Sequence, residues 1–545
     1  FQKPADFLRT EFEDVTYFCK SFRKLHGSGR DSMVEYVNAR LVPKEGMEDM
    51  RREVSTVLTG YLAYLQRLNH RFSGAPAPYD ISEPLPLDVL MDDLDREIAK
   101  LPHGLRTVKP ELTFHFIKYR YNPEESRGKF LEHAHFHEHR KRYAGQCKTL
   151  TELLENVPPL RHWIRAVDAA ASELDTPPYV FAPAFRAARD VARIPHQVFH
   201  AGEDFPHLVS GIRAVYETIT HLDMRQGDRI GHATALGIDP AFWLQSLPNA
   251  ISISIGGWLQ DLVFAWNILS GCRDCEPIVA KLDRDIRTHA SRLFQHAKLS
   301  PHSISQIMDL RPINPVVFQM VYEKARNRMP AGAKVKPKHV FEEARGLDEC
   351  AFHLLPPDER ELRIILGAMD NMPDDVLDMA RHWHFSRGVY QRGREHITVP
   401  TDYFSERELL ILQQETAKLV CRRGVVLETL PTSNVRISQY QEMRQHHALR
   451  WLGVPPHAHP GDVPLIVTLG DDDPGVFCTN IKNEFYHLFI SMKRSGLNSG
   501  EALQKVMELN ENSARYAFRP LNHTSPDPGF PNNAAMDSEE GDPLW

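Results

Sequence analysis

Four short stretches combine residue types that hydrolytic metal chemistry needs. "VFHAGE" (198–203) offers His200 and, three residues on, Glu203; "RIGH" (229–232) ends in His232. "LPTSN" (430–434) supplies Ser433 and Asn434, and "LGDDDP" (469–474) sets Asp471, Asp472 and Asp473 side by side. A redox-silent divalent ion such as Zn²⁺ takes imidazole nitrogen and carboxylate oxygen and keeps one position for water. It lowers the pKa of that water to about 7, which makes a nucleophile available at neutral pH. Hydrolytic removal of an amino group from a purine-like ring also needs a carboxylic acid to protonate the ring nitrogen beside the attacked carbon. A histidine must then orient the water or take its proton. The set of side chains matches those needs. An Asp-rich turn that merely ends a strand before Pro474 and Gly475 is the plain alternative for 471–473.

Each stretch follows a run that reads as a buried strand. "MVEYVNARLVP" (33–43), "LTFHFIKYR" (112–120), "HWIRAVDAA" (162–170), "PHQVFHAGE" (195–203), "DRIGHAT" (228–234), "GVVLETLPTSN" (424–434) and "VPLIVTLGDDD" (463–473) are apolar on both faces. That is the pattern of parallel strands covered by helices. Helical patterns at 177–192 and 207–222 fill the intervals, so the order is β then α. Polar residues collect at the strand ends, as on the active face of a (β/α)₈ barrel. No G-x-G-x-x-G turn or phosphate-binding P-loop follows any strand, which favours a barrel over an open nucleotide-binding sheet.

The expected organisation is barrel over 1–237, helical insertion over 238–420, last strands and closing helix over 421–520, and a polar tail over 521–545. An interval as long as 238–420 cannot be a loop. The 545 residues carry 65 basic and 72 acidic side chains, a net charge of −7 that gives no footprint for wrapping duplex nucleic acid. No run approaches the ~18–20 apolar residues that span a bilayer, so no membrane partner is expected. Seven scattered cysteines fit a reducing, cytoplasmic setting.

Taken in order, "HAGE", "RIGH", "PTSN" and "DDDP" resemble the motifs of the adenosine/AMP deaminase superfamily, metal-dependent hydrolases on a TIM-type barrel. "VDAAASELDTPPYVFAPAFRAAR" is similar to that family's strand-four segment, and "NENSARYAFR" (510–519) to its closing helix. The resemblance covers roughly 30–235 and 420–520. It implies zinc held by His200 and Asp472, Glu203 as proton donor to purine N1, and His232 as the base that orients the water. It further implies Asp473 as the partner of purine N7, and the backbone of Ala171, where the family has glycine, facing purine N3. Asp471 receives no role. The insertion, with "DAAASE" and "GHATALGIDP", resembles more narrowly the adenosine deaminase subunit of RADAR antiphage systems. That subgroup implies a large homo-oligomer, an AAA+ ATPase partner and an adenosine-type substrate: adenosine, ATP or adenosine within RNA.

The family's first strand ends in a His-x-His pair that supplies two metal ligands, and no such pair precedes "MVEYVNARLVP". The expectation is that the natural protein continues upstream with that strand. The pairs within "HAHFHEH" (133–139), "HWH" (382–384) and "HAH" (457–459) lie in the wrong places, the first on an expected solvated face. A cytidine-type deaminase is excluded, since H-x-E with P-C-x-x-C is missing and "CRDC" (272–275) lacks the proline. Two other readings stand beside the deaminase: a catalytically dead barrel serving as an assembly scaffold, and a barrel hydrolase acting on another amide or amidine.

Overall fold

A computed structural model of the chain describes residues 13–76, 81–121, 134–295, 299–328 and 359–518. The tail expected over 521–545 and His133 lie outside the described residues. The apolar runs form strands in the order read from the sequence: β1 (Tyr36–Leu41), β2 (Lys109–Lys118), β3 (Ile164–Ala171), β4 (His196–Ala201) and β5 (Arg229–His232). After the insertion come β8 (Val426–Thr429) and β9 (Ile466–Leu469), where β6 and β7 are reserved for strands inside it. These seven pair in parallel in the order β1-β2-β3-β4-β5-β8-β9.

The sheet is curled, and one contact proves it. β1 and β8 stand five strands apart, about 24 Å in a flat sheet at ~4.8 Å per strand. Yet Arg40 of β1 donates to Glu428 of β8 at 2.8 Å. The strands therefore arc as a barrel wall does. Among the described residues the outer edges of β1 and β9 pair with no further strand, so the arc has seven strands and is open on one side.

Helices cover the outside of the arc. Helix Leu208–His221 follows β4, and helix Glu406–Arg423 leads into β8. The latter starts on a capping box, in which Ser405 and Glu408 satisfy each other's backbone N–H, and stops at Gly424 with a left-handed φ of 62°. Although counted with the insertion in the sequence reading, this helix packs on helix Leu208–His221 and belongs to the helical layer around the arc.

The insertion is largely helical but also holds a two-stranded antiparallel pair, β6 (Ala250–Ser254) with β7 (His396–Pro400). Its apolar core is continuous with Leu208, Val209 and Ile212 of helix Leu208–His221. The insertion is thus cemented to the arc.

Candidate functional site

The C-terminal ends of the parallel strands converge on one buried cluster. His200 is the last residue but one of β4 and His232 ends β5, and both are buried. Their register places His200 opposite Gly231. A Cβ on Gly231 would come within 2.7 Å of the His200 ring, so only glycine admits the imidazole there. Ligand atoms of His200, Glu203 and His232 all lie within 4.8 Å of one another, a grouping able to hold a metal ion. Sequence reading gave His200 as a metal ligand and Glu203 and His232 as catalytic groups; Asp472, its second expected ligand, is not a member of this group.

The backbone at these strand ends is strained. Ala171, His232, Ala233 and Asp472 take φ of 80°, 63°, 44° and 55°, the left-handed region that glycine tolerates and other residues avoid. Each such residue costs of order 1–3 kcal/mol and persists only where its surroundings enforce it. Ala171 thus keeps the backbone of the glycine it replaces in the sequence resemblance. Asp472 is exposed, while Asp471 and Asp473 are half-buried. Asp473 accepts from the Val476 N–H at 3.2 Å and caps the short turn that follows, so it does at least the plain strand-ending work.

Protons are distributed unevenly in the cluster. Glu203 Oε1 lies 3.1 Å from His232 Nδ1. Burial, then the carboxylates of Glu173 and Asp472, push Glu203 up to about 8, while burial pushes His232 down to about 3. At neutral pH the proton therefore sits on the carboxyl and the imidazole is neutral. Asn434 Nδ2 approaches the same His232 nitrogen at 2.9 Å, and Asn434 Oδ1 lies 3.3 Å from His446 Nε2. "PTSN" thus orients the His232 ring.

Sequence reading missed the residues that frame this group. Glu173 accepts the consecutive N–H groups of Gly202, Glu203 and Asp204 at 2.5, 2.9 and 3.1 Å, fixing the turn that carries Glu203. Lys118, buried beside it, donates to the His200 carbonyl at 2.5 Å and lies 4.2 Å from the Phe199 ring centroid. Asp168 accepts from or pairs with His115 at 2.9 Å and stands 3.6 Å from His200 Nε2. Burial opposes its charge, but Arg40, His200 and His115 hold its carboxyl well below the usual range.

Arg40 is the decisive neighbour. Its Nη1 donates to His200 Nε2 at 2.8 Å, its Nη2 to Glu428 at 2.8 Å, and its Nε lies 3.5 Å from Asp168. Nε2, one of the two His200 ring nitrogens open to a metal, is thus engaged by a guanidinium. In type the donors suit a divalent ion: burial pushes His200 well below its ordinary pKa, its Nε2 accepts from Arg40, and Asp168 keeps one buried oxygen without a hydrogen-bond partner. Loading the site requires the Arg40–His200 bond to open.

The other histidine pairs are placed elsewhere. His139 is buried and its Nε2 meets the Tyr119 carbonyl at 2.9 Å, while the His135 ring packs on Tyr390 at 4.8 Å. Ala134, Phe136 and His139 are buried while Glu138 alone of 134–139 is exposed, so the stretch is an anchoring segment, not the solvated face expected from its charges. His384 is buried near the Leu310 carbonyl, and His457 meets Ser495 at 3.0 Å.

Among the described residues no helix is long and apolar enough to cross a membrane. No protein-family model matches this chain, and no curated protein matches it to a meaningful degree.

Proposed function

We propose that the protein is a metal-dependent hydrolytic deaminase that converts adenine to hypoxanthine in an adenosine derivative, with a role in antiphage defence. The observation that carries this reading is the buried group of His200, Glu203 and His232, whose ligand atoms lie within 4.8 Å of one another, with Glu203 Oε1 3.1 Å from His232 Nδ1. Zinc, when bound, would act as a Lewis acid that raises the acidity of a water. His200 and Asp472 would hold it, with His232 and Glu203 close by.

The chain's own groups then divide the work. Glu203, protonated at neutral pH, gives its proton to ring N1 as water adds to the adjacent carbon. His232, kept neutral by burial and oriented by Asn434, takes the proton that the water loses. His232 passes that proton to the departing amino group, which leaves as ammonia, and Glu203 recovers its proton from the added hydroxyl as the carbonyl forms, so water and amine exchange one for one. Asp473 faces N7 and the Ala171 backbone faces N3, while Glu173 keeps the 202–204 turn in place. The insertion supports assembly into a large homo-oligomer that works beside an AAA+ ATPase.

One observation favours a second reading, the catalytically dead scaffold. Arg40 already satisfies His200 Nε2, as a structural core residue would. Ammonia release decides between the two. Zinc-loaded protein offered adenosine, AMP, ATP and short RNA releases ammonia from at least one if it is a deaminase, and from none if it is a scaffold.

A further inference from the structure

The opposite end of the arc carries a second cleft, of about 330 Å³, where β4 begins rather than ends. Its wall joins three parts of the chain: helix Pro178–Asp190, the turn after helix Leu208–His221, and the insertion helix Glu359–Asn371. Five of the lining residues are arginines: Arg186, Arg189, Arg225, Arg360 and Arg363. Only Asp190 and Asp223 oppose them within the wall.

The pairing around Asp223 is lopsided. Its carboxylate takes Arg360 at 2.6 Å and Arg225 at 3.0 Å, with Arg423 at 3.7 Å. Its backbone carbonyl accepts from Arg189 at 2.9 Å. Burial works against its charge, yet the surrounding guanidiniums hold its carboxyl below the usual range. Two carboxylate oxygens cannot match the donors of three guanidiniums, each with five N–H groups in a planar fork. Behind the wall, Glu361 holds Arg186 at 3.2 Å and Asp228 holds Arg189 at 2.5 Å. Among the described residues, Arg186, Arg189, Arg225, Arg360, Arg363 and Arg423 outnumber Asp190, Asp223, Glu361 and Asp228, six guanidiniums to four carboxylates.

We propose that this cleft is a binding site for a polyphosphate anion, either inorganic triphosphate or the polyphosphate tail of a nucleotide. Arginine forks match phosphate oxygens two at a time, and several forks around one cleft suit linked phosphates better than a single ion. The ligand lies between barrel and insertion, so it ties Arg360 and Arg363 of the insertion to Arg186, Arg189 and Arg225 of the barrel. The cleft is separate from the His200 cluster, and the proposal does not depend on the reaction carried out there.

Calorimetric titration of the full chain with inorganic triphosphate, and separately with ATP, tests it. Both should bind, more weakly as salt is raised, and each should raise the melting temperature in a concentration-dependent way. Arg360 is half exposed and Arg363 exposed, so R360E/R363E should fold normally and weaken triphosphate binding at least tenfold. R287E, a half-exposed arginine on another helix, is the charge control and should bind as the wild type does. The triphosphate arm separates this cleft from any nucleotide site at the other end. Absence of triphosphate binding overturns the proposal. So does unchanged affinity in R360E/R363E, or an equal loss in R287E. If the charge reversal fails to fold, R360Q/R363Q is held to the same criterion.

Discussion

Replacing Arg40 with methionine separates metal binding from the guanidinium that now engages the site. The guanidinium donates to His200 Nε2 at 2.8 Å and to Glu428 at 2.8 Å, beside Asp168 at 3.5 Å. A cation on His200 would sit roughly 5 Å from that charge, a repulsion of about 3 kcal/mol per unit charge at an effective dielectric near 20. Opening the hydrogen bond to His200 adds about 1 kcal/mol. Together these come to about 4 kcal/mol, roughly a thousandfold at about 1.4 kcal/mol per tenfold, so Arg40→Met should tighten zinc binding by at least tenfold. Without metal the same change takes their shared guanidinium from Asp168 and Glu428, leaving Asp168 with His115 at 2.9 Å and Glu428 with Arg229 at 3.6 Å, and removing one partner of a buried pair costs up to about 3–5 kcal/mol. The metal-free variant should melt early and recover on adding zinc, more than the wild type gains. Chelator competition gives the affinity and thermal denaturation gives the rescue. Zinc affinity equal to or weaker than wild type would refute the competition.

Other changes probe the same cluster from different sides. Glu203→Gln should lower turnover by about 10²–10⁴-fold with fold and metal content nearly intact, since a proton donor is lost; near wild-type ammonia release would remove Glu203 from the mechanism. His200→Ala and Asp472→Ala should each reduce bound zinc, measured by elemental analysis, and full occupancy in both would displace the metal assignment. Because Glu203 is raised to about 8, it is protonated below that pH and loses its proton above it. Activity should accordingly fall tenfold per pH unit above about 8, and a rate still rising at pH 9 would contradict the donor role. Gly231→Ala pushes a Cβ to 2.7 Å from the His200 ring; it should cost about 1–3 kcal/mol of stability, read by denaturant titration, and weaken metal binding.

Strand order and strand ends were legible because parallel strands covered on both faces read as apolar runs with polar ends. His200, Glu203 and His232 stood out for that reason, each at the close of a run. Arg40 did not, because its meaning depends on curvature: it faces Glu428, 388 residues away, only once the sheet has curled. Glu173 was hidden in the same way, since its three acceptor contacts are with backbone N–H groups of a turn about 30 residues on. β6 and β7 are only five residues each and sit among helices, where so short an alternation carries little signal. The histidines of 134–139 misled through composition. Their charged neighbours suggested a solvated helix, but His139 faces the aromatic cluster of Tyr119, Tyr121 and Phe136.

The most direct test of the deaminase account is isotopic. Zinc-loaded protein is incubated with an adenosine-type substrate in H₂¹⁸O, and the product base is weighed by mass spectrometry beside a Glu203→Gln control. Hydrolytic deamination predicts a hypoxanthine product that carries one ¹⁸O, released with ammonia and missing from the control. Unchanged adenine across adenosine, AMP, ATP and short RNA, or a deaminated product without the label, would contradict the account.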